Sequence, residues 1–324
     1  MTSGLPPQAA PPQRHPSRAP VTVAIPTFGR DEVLTETIRQ LLDQRPAAAE
    51  ILVIDQTPRH EDGAERRLAA WHEQGAIRWL RIERPSVTSA MNRALLEAAN
   101  PLVLFVDDDI IPASGLVAAH VAAMSESEEV WAVTGQVLQP GEEPASAPAR
   151  REARGLRADL DFPFWSTARA PARNVMAGNL CVRRDRALAV GGFDENYKGV
   201  AYRFETDFAR RVWQAGGRIL FEPAASIRHL RAGRGGTRRF GNHLSSPSPA
   251  HGVGDYYFAL RHGAPLEALA YVLRRPFREV RTRFHLTHPW FIPVKLLGEA
   301  MALAWGLGLW ARGPALLSAG KGSR

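Results

Sequence analysis

The 324-residue sequence predicts an α/β fold, a sheet covered by helices on both faces, with a helical C-terminal extension. Three observations predict it. Short apolar, β-branched runs recur between Val21 and Val106, stretches with helical spacing separate them, and beyond Asp255 only helical pattern remains. Strands alternating with helices imply parallel pairing and burial on both faces.

Taken in order, Val21–Ile25 reads as a buried strand stopped by Pro26. Asp31 is placed to cap the next helix, whose Val33, Leu34, Ile38, Leu41 and Leu42 share one face. Ile51–Ile54 is a second strand ending at Asp55, and a third lies near Ile77–Ile82. Ser86–Ala99 is helical, and Leu102–Val106 is a fully apolar fourth strand that runs into Asp107-Asp108-Asp109. A helix is expected over Ser114–Met124, strands over Val130–Leu138 and Asn174–Val182, and a Pro- and Ala-rich connection over Pro140–Ala170. Phe204–Gln214 reads as a helix, followed by short strands at Ile219–Phe221 and Ser226–His229. The expected organisation is a Pro-rich disordered leader over 1–20, a main α/β domain over 21–232, a flexible Arg/Gly/Ser-rich loop over 233–254 and a helical extension over 255–324.

Composition narrows the function classes. The net charge of +8 invites a nucleic-acid partner, but only three lysines stand among 41 basic residues, and no helix-turn-helix, zinc-finger or RNA-binding signature accompanies them. No nucleic-acid partner is expected. Cys181, the single cysteine, excludes an internal disulfide and a cysteine-rich metal site, and it suits a reducing, cytoplasmic compartment. The proline-studded first twenty residues lack the apolar stretch of a secretory signal.

The chemistry concentrates where strands end. In open α/β sheets, ligands gather at the carboxyl ends of the strands, so Pro26–Arg30, Asp55 and Asp107–Asp109 should share one crevice. Three neighbouring carboxylates repel one another, and a hard cation relieves that repulsion. In extended backbone Asp107 and Asp109 point the same way, a D-x-D arrangement able to approach one metal. The plain alternative is a solvated acidic turn.

These residues carry a resemblance. Val23-Ala24-Ile25-Pro26-Thr27-Phe28-Gly29-Arg30, Val53-Ile54-Asp55, Phe105–Asp109, Gly191-Gly192-Phe193-Asp194-Glu195 and Glu205–Arg211 occur in the order found in family 2 glycosyltransferases, which the chain resembles from about Val21 to His229. The resemblance implies a GT-A-like, Rossmann-like mixed sheet flanked by helices. It also implies an inverting transfer of sugar from a nucleoside-diphosphate sugar, a UDP-sugar foremost, to an acceptor hydroxyl. By the same resemblance Pro26, Thr27, Arg30, Asp55, Asn92, Asp107 and Asp108 would contact the donor, with Asp55 accepting from the base. Asp109, Asp107 and His229 would hold Mg2+ or Mn2+. Gly178, Asn179, Gly192 and Asp194 would face the donor sugar or the acceptor. Glu205 and Asp207 share the proposal for catalytic base; Phe204 stands where the family commonly has an acid and Glu205 where it commonly has Asp, which leaves the choice open with Glu205 preferred. Arg234, in a Gly-rich basic loop, is the candidate to close over the diphosphate.

Near the C-terminus, Arg274, Arg275, Arg278, Arg281 and Arg283 precede an apolar stretch, Leu296–Ala311, that holds Trp305 and Trp310. Lys295 and Glu299 interrupt its start, and the charge-free part is shorter than the roughly 20 residues a membrane span requires. It reads either as an interfacial helix on an anionic membrane, peripheral on the inner face of the cell membrane, or as a helix packed on protein. A glycan, a lipid-linked group or another hydroxyl compound would be the acceptor. Two other functions fit parts of the pattern: a non-catalytic scaffold binding nucleotide sugar or membrane, and a sugar-nucleotide pyrophosphorylase. The latter would need a Gly-rich phosphate loop that Gly29 alone does not supply.

Overall fold

The computed structural model describes residues 18–146, 155–156, 160, 162–236 and 240–318. Most of the leader and part of the Pro140–Ala170 connection lie outside the described residues. The elements run β1 (Ala19–Thr27), α1 (Glu32–Leu42), β2 (Ala48–Asp55), α2 (Asp62–Glu73), β3 (Arg78–Arg81), α3 (Val87–Glu97), β4 (Leu102–Val106), β5 (Ile110–Pro112) and α4 (Leu116–Met124). Then follow β6 (Val130–Leu138), β7 (Ala170–Pro171), β8 (Asn179–Arg183), α5 (Arg184–Ala189), α6 (Phe204–Gln214) and β9 (Arg218–His229). The chain ends in α7 (Val253–His262), α8 (Pro265–Val280), α9 (Arg283–Thr287) and α10 (Phe291–Arg312).

Among the described residues one sheet of nine strands has the order β3-β2-β1-β4-β8-β6-β9-β5, with β7 paired to β9. It is mixed. Pairing is parallel across β3-β2-β1-β4, but β8 enters antiparallel between β4 and β6. After α4 strands and helices no longer alternate singly: β8 pairs antiparallel with both β4 and β6, while β6 and β9 pair in parallel across a connection that holds α5 and α6. Side-chain alternation along β4 divides the core: Val103 and Phe105 face one layer with Leu52, Leu180 and Phe193, whereas Leu102, Leu104 and Val106 face the other with Val23, Ile25 and Ile38.

Three local expectations are corrected. Asp31 precedes α1 but makes no side-chain cap; its carboxylate instead accepts from Glu61 N (3.0 Å) and meets His60 Nδ1 (2.9 Å). Ile219–Phe221 and Ser226–His229 belong to a single strand, β9, because a register shift opposite Gly135 and Gln136 absorbs Pro223 as a bulge. The stretch expected to be loop through Gly254 contains a 3-10 turn at Pro249–His251 and the start of α7.

Candidate active site

Two strand pairings assemble the site. The antiparallel register of β4 with β8 sets Val106 opposite Asn179, which brings Gly178 beside Asp107; Asp107 N donates to Gly178 O (3.2 Å). The register of β5 with β9 sets Ile110 opposite His229, and Leu230 N donates to Asp109 O (2.8 Å). His229, 120 positions downstream of Asp109, is thereby delivered to the acidic triplet.

The triplet is divided in use. Asp108 is buried, accepts from Thr27 Oγ1 (2.7 Å) and pairs with Arg30 Nε (3.3 Å); burial pushes its carboxyl up to about 7 against the pull of Arg30. Asp109 is buried too: its Oδ2 takes Ala232 N (2.7 Å) and Arg30 Nη2 (3.3 Å), while Oδ1 faces His229 Nε2 at 3.2 Å. Burial opposes ionisation of Asp109, but His229, Ala232 N and Arg30 outweigh it and hold its carboxyl below the usual range. His229 is shifted upward by its hydrogen bond to Asp109. Asp107 has a half-exposed side chain, with Oδ2 3.6 Å from His229 Nε2. The ligand atoms of Asp107, Asp109 and His229 lie within 4.8 Å of one another. Two hard oxygens and an imidazole nitrogen suit Mg2+ or Mn2+. Arg30 therefore neutralises the inner acid and one oxygen of Asp109, and leaves the other side of the triplet open.

These groups line a crevice of about 370 Å³, within the size range of small-molecule sites. Pro26, Thr27, Arg30, Asp107, Asp108, Asp109 and His229 all reach it. Phe28, within the expected Pro26–Arg30 stretch, also lines it, as do Gln56, Pro85, Ser86, Val87, Gly199, Gly236 and Phe240, which carried no individual sequence assignment. Gln56 had a usable signal, its position at the carboxyl end of β2. Its side chain ties two strand ends to α3, with Nε2 donating to Thr27 O (3.2 Å) and Oε1 accepting from Ser86 N (2.6 Å).

Beside the crevice, Gly178 has no room for a side chain, since a Cβ there would stand 2.1 Å from Asp107 Oδ2. One residue earlier, Ala177 N donates to Glu205 Oε1 (2.6 Å). Glu205 thus sits behind the same short segment that Asp107 packs against. It lines a second cavity of about 310 Å³ with Trp165, Tyr202 and Arg203. Burial, reinforced by Asp107 nearby, lifts the Glu205 carboxyl to about 7. Ala201 and Arg203 just before it hold left-handed backbone (φ 54° and 75°), a conformation that costs free energy in non-glycine residues.

Other expected contact residues sit elsewhere. Asp207 is buried among Arg211 (2.8 Å), Arg261 (3.1 Å) and His262 (2.7 Å); burial opposes its charge, yet the Arg211 guanidinium, the hydrogen bond from His262 and Arg261 hold its carboxyl down at about 2. A carboxylate so paired is a poor proton acceptor. Asp55 is fully buried and does not line the crevice, its oxygens engaged by Thr57 N (2.8 Å), Trp79 Nε1 (2.9 Å) and His60 Nε2 (2.7 Å). Asn92 clasps Phe193 through both backbone polar groups (2.7 and 2.8 Å). Asn179 bonds Gln136 O, Ala225 O and His120, and Asp194 accepts from Tyr257 Oη (2.8 Å) and Ala315 N (2.9 Å). Gly192, at φ 61°, packs against Asn92 and Leu317. The Arg234 side chain is exposed, and its carbonyl accepts from Arg30.

Residues 22–180 match the family model for glycosyl transferase family 2. Over these residues, about half of its length, the chain belongs to this family. No curated protein matches the sequence. Among solved structures, this glycosyltransferase is similar to GalNAc-T7 with UDP, GalNAc and Mn2+, at 16% identity and a TM-score of 0.53 over 74% of this chain and 50% of that one. It is also similar to the mannosyltransferase PcManGT from Pyrobaculum calidifontis in complex with GDP-Man and Mn2+, at 20% identity and a TM-score of 0.51, over 92% of this chain and 80% of that one. A third likeness is S. aureus TarS, at 13% identity and a TM-score of 0.50, over 89% of this chain and 43% of that one. The glycosyltransferase thus spans about half of the GalNAc-T7 chain. At these identities the likeness establishes the GT-A fold, as expected from the strand motifs.

Proposed function

We propose that this glycosyltransferase transfers a sugar, with inversion, from a nucleoside-diphosphate sugar to an acceptor hydroxyl in a divalent-metal-dependent reaction. The observation that carries the reading is the convergence of Asp107, Asp109 and His229 at the crevice, with Glu205 one short segment away. Asp107 and Asp109 are the D-x-D pair, and with His229 they would hold Mg2+ or Mn2+, which when bound offsets the negative charge of the leaving diphosphate. Thr27 and Pro26 border the nucleotide. Glu205 takes the proton from the attacking hydroxyl, because its environment sets it near the pH at which a base works best.

The donor is a nucleotide sugar; PcManGT and GalNAc-T7, whose structures hold GDP-Man and UDP, support that class, and UDP-sugar is the first candidate. The cavity around Glu205, lined by Trp165 and Tyr202, suits a glycan or lipid-linked acceptor, because aromatic side chains pack well against sugar rings. A cytoplasmic enzyme, peripheral on the inner face of the cell membrane, accords with the buried free thiol of Cys181 and with the exposed apolar C-terminal helices. The test is thermal shift against UDP, GDP, TDP and CMP with Mn2+, followed by release of nucleotide from the matching sugar donors. One nucleoside diphosphate should raise Tm only when metal is present. Absence of both stabilisation and donor turnover across the panel would overturn the reading.

A further inference from the structure

The C-terminal helices hide their charges and show their apolar side chains. On α8 the buried positions are Ala268, Val272 and Arg275. The opposite stripe, Leu266, Leu269, Leu273 and Phe277, is spaced by three, four and four residues and is 54–82% exposed. Residues so spaced share one helix face. On α10 the face packed against α7 contains Lys295, Gly298, Glu299, Ala302, Gly306 and Leu309. Its other face presents Leu297, Met301, Leu307 and Trp310, each more than 40% exposed.

The two helices lie antiparallel, locked by Arg275 to Glu299 and by Lys295 to Glu279 (3.7 Å). Lys295 and Glu299 are thereby turned inward, Arg312 alone of the charged residues of α10 is exposed, and the outer face holds no carboxylate. Of the acids on α8, Glu267 accepts from Leu156 N (2.7 Å), and Glu279 pairs with Arg278 (3.2 Å) and Lys295. The exposed charges beside the stripe are cationic: Arg274, Arg281 and Arg283, with Arg312 at the end of α10, while Arg278 is engaged by Asp255 and Glu279. Large apolar side chains exposed in groups on two neighbouring helices mark an interaction surface.

We infer that α8 and α10 together form a docking surface for an anionic lipid bilayer, lying flat in the headgroup region with the leucine and tryptophan side chains inserted and the arginines on lipid phosphates. The charge pattern selects this occupant, for apolar side chains rimmed by arginine and free of acid match an anionic interface. It extends the peripheral placement proposed above and does not depend on the donor crevice. Although α10 is long and apolar enough to cross a membrane, crossing would strip it from α7 and leave Arg275 without Glu299, so the helix lies on the bilayer.

The test is co-sedimentation of the full chain with phosphatidylcholine vesicles, with and without phosphatidylglycerol. Binding should be at least about tenfold stronger with the anionic lipid. Leu273→Asp with Phe277→Asp should abolish it, and Arg274→Glu with Arg281→Glu should remove the preference for phosphatidylglycerol. All four positions are exposed, so both variants should keep the wild-type Tm and donor turnover measured without vesicles. Unchanged sedimentation of the Leu273→Asp, Phe277→Asp variant would overturn the inference, as would equal binding to both vesicles. A dimer in velocity sedimentation that this variant converts to monomer would assign the face to a second copy and also overturn it. Loss of donor turnover in wild type with vesicle binding intact would sink the catalytic reading alone.

Discussion

Asp109 Oδ1 stands 3.2 Å from His229 Nε2, while its other oxygen is engaged by Arg30 and Ala232 N. One carboxylate thus serves two tasks: it anchors the segment after β9 to the sheet and turns its free edge toward Asp107. An arginine at an acidic triplet would ordinarily argue against a cation there. Here Arg30 reaches Asp108 and only the inner oxygen of Asp109, and that leaves net negative charge facing the crevice.

The first prediction follows from that division. Asp109→Ala should lower transfer by about 100-fold or more, since charge stabilisation of the leaving group contributes several kcal/mol. His229→Ala should weaken Mn2+ binding with a smaller loss at saturating metal. Titration calorimetry with Mn2+, beside steady-state rates, checks both. Equal Mn2+ affinity in wild type and Asp109→Ala would remove the metal site.

The parts legible in the sequence share one property. β1, β2 and β4 are buried on both faces, so each needs a continuous apolar run, and Pro26 and Asp107, which end the runs of β1 and β4, line the crevice. β5 and β7, three and two residues long, carry no period to read, yet β5 is what aligns His229. The motif polar residues were legible as special but not as to purpose. Asp55, Asn92, Asn179 and Asp194 spend their hydrogen bonds on loops and strand ends. A sequence shows that a carboxylate or amide is present, whereas the direction of its lone pairs depends on partners as distant as His120 or Ala315.

Gly178 offers a second prediction. A methyl group there would press on Asp107 from 2.1 Å, and the half-exposed carboxylate has to swing away. Gly178→Ala should therefore keep the fold while raising the Mn2+ concentration for half-maximal rate by about tenfold, the scale of change seen when groups orienting a ligand are disturbed. An unchanged metal dependence would show that Asp107 is not a ligand.

The Asp255 cluster yields a stability prediction. Asp255 is buried between Arg203 (2.9 Å), Arg275 (2.7 Å) and Arg278 (2.9 Å), and it joins the start of α6 to α8. Burial opposes its charge, but Arg275 and Arg203 hold the carboxyl at about 2, below its ordinary 3.8. A depressed carboxyl contributes stability above its unfolded value, and that contribution is lost as pH falls from about 4 through about 2. Asp255→Ala removes the one carboxylate that Arg203, Arg275 and Arg278 share, with Glu299 left to Arg275 and Glu279 to Arg278, and should cost about 3–5 kcal/mol at neutral pH. Chemical denaturation at pH 7 measures the loss, and the variant should be less sensitive than wild type to acid in that window.

Glu205 gives the most direct test of the chemistry. With its carboxyl lifted to about 7, a general base at this position is half protonated near neutrality, so kcat/KM should climb through pH 7 and level off above it. Glu205→Gln should reduce kcat by about 100- to 10,000-fold, the usual contribution of a positioned base, and should flatten that acid limb. Asp207→Asn should behave differently. Its carboxylate is held at about 2 by Arg211, His262 and Arg261, so the limb near pH 7 should persist while Tm falls. Were the limb to vanish in Asp207→Asn and survive in Glu205→Gln, the proton would belong to Asp207, and the strained backbone at Ala201 and Arg203 would be positioning Tyr202 for the acceptor rather than Glu205 for catalysis.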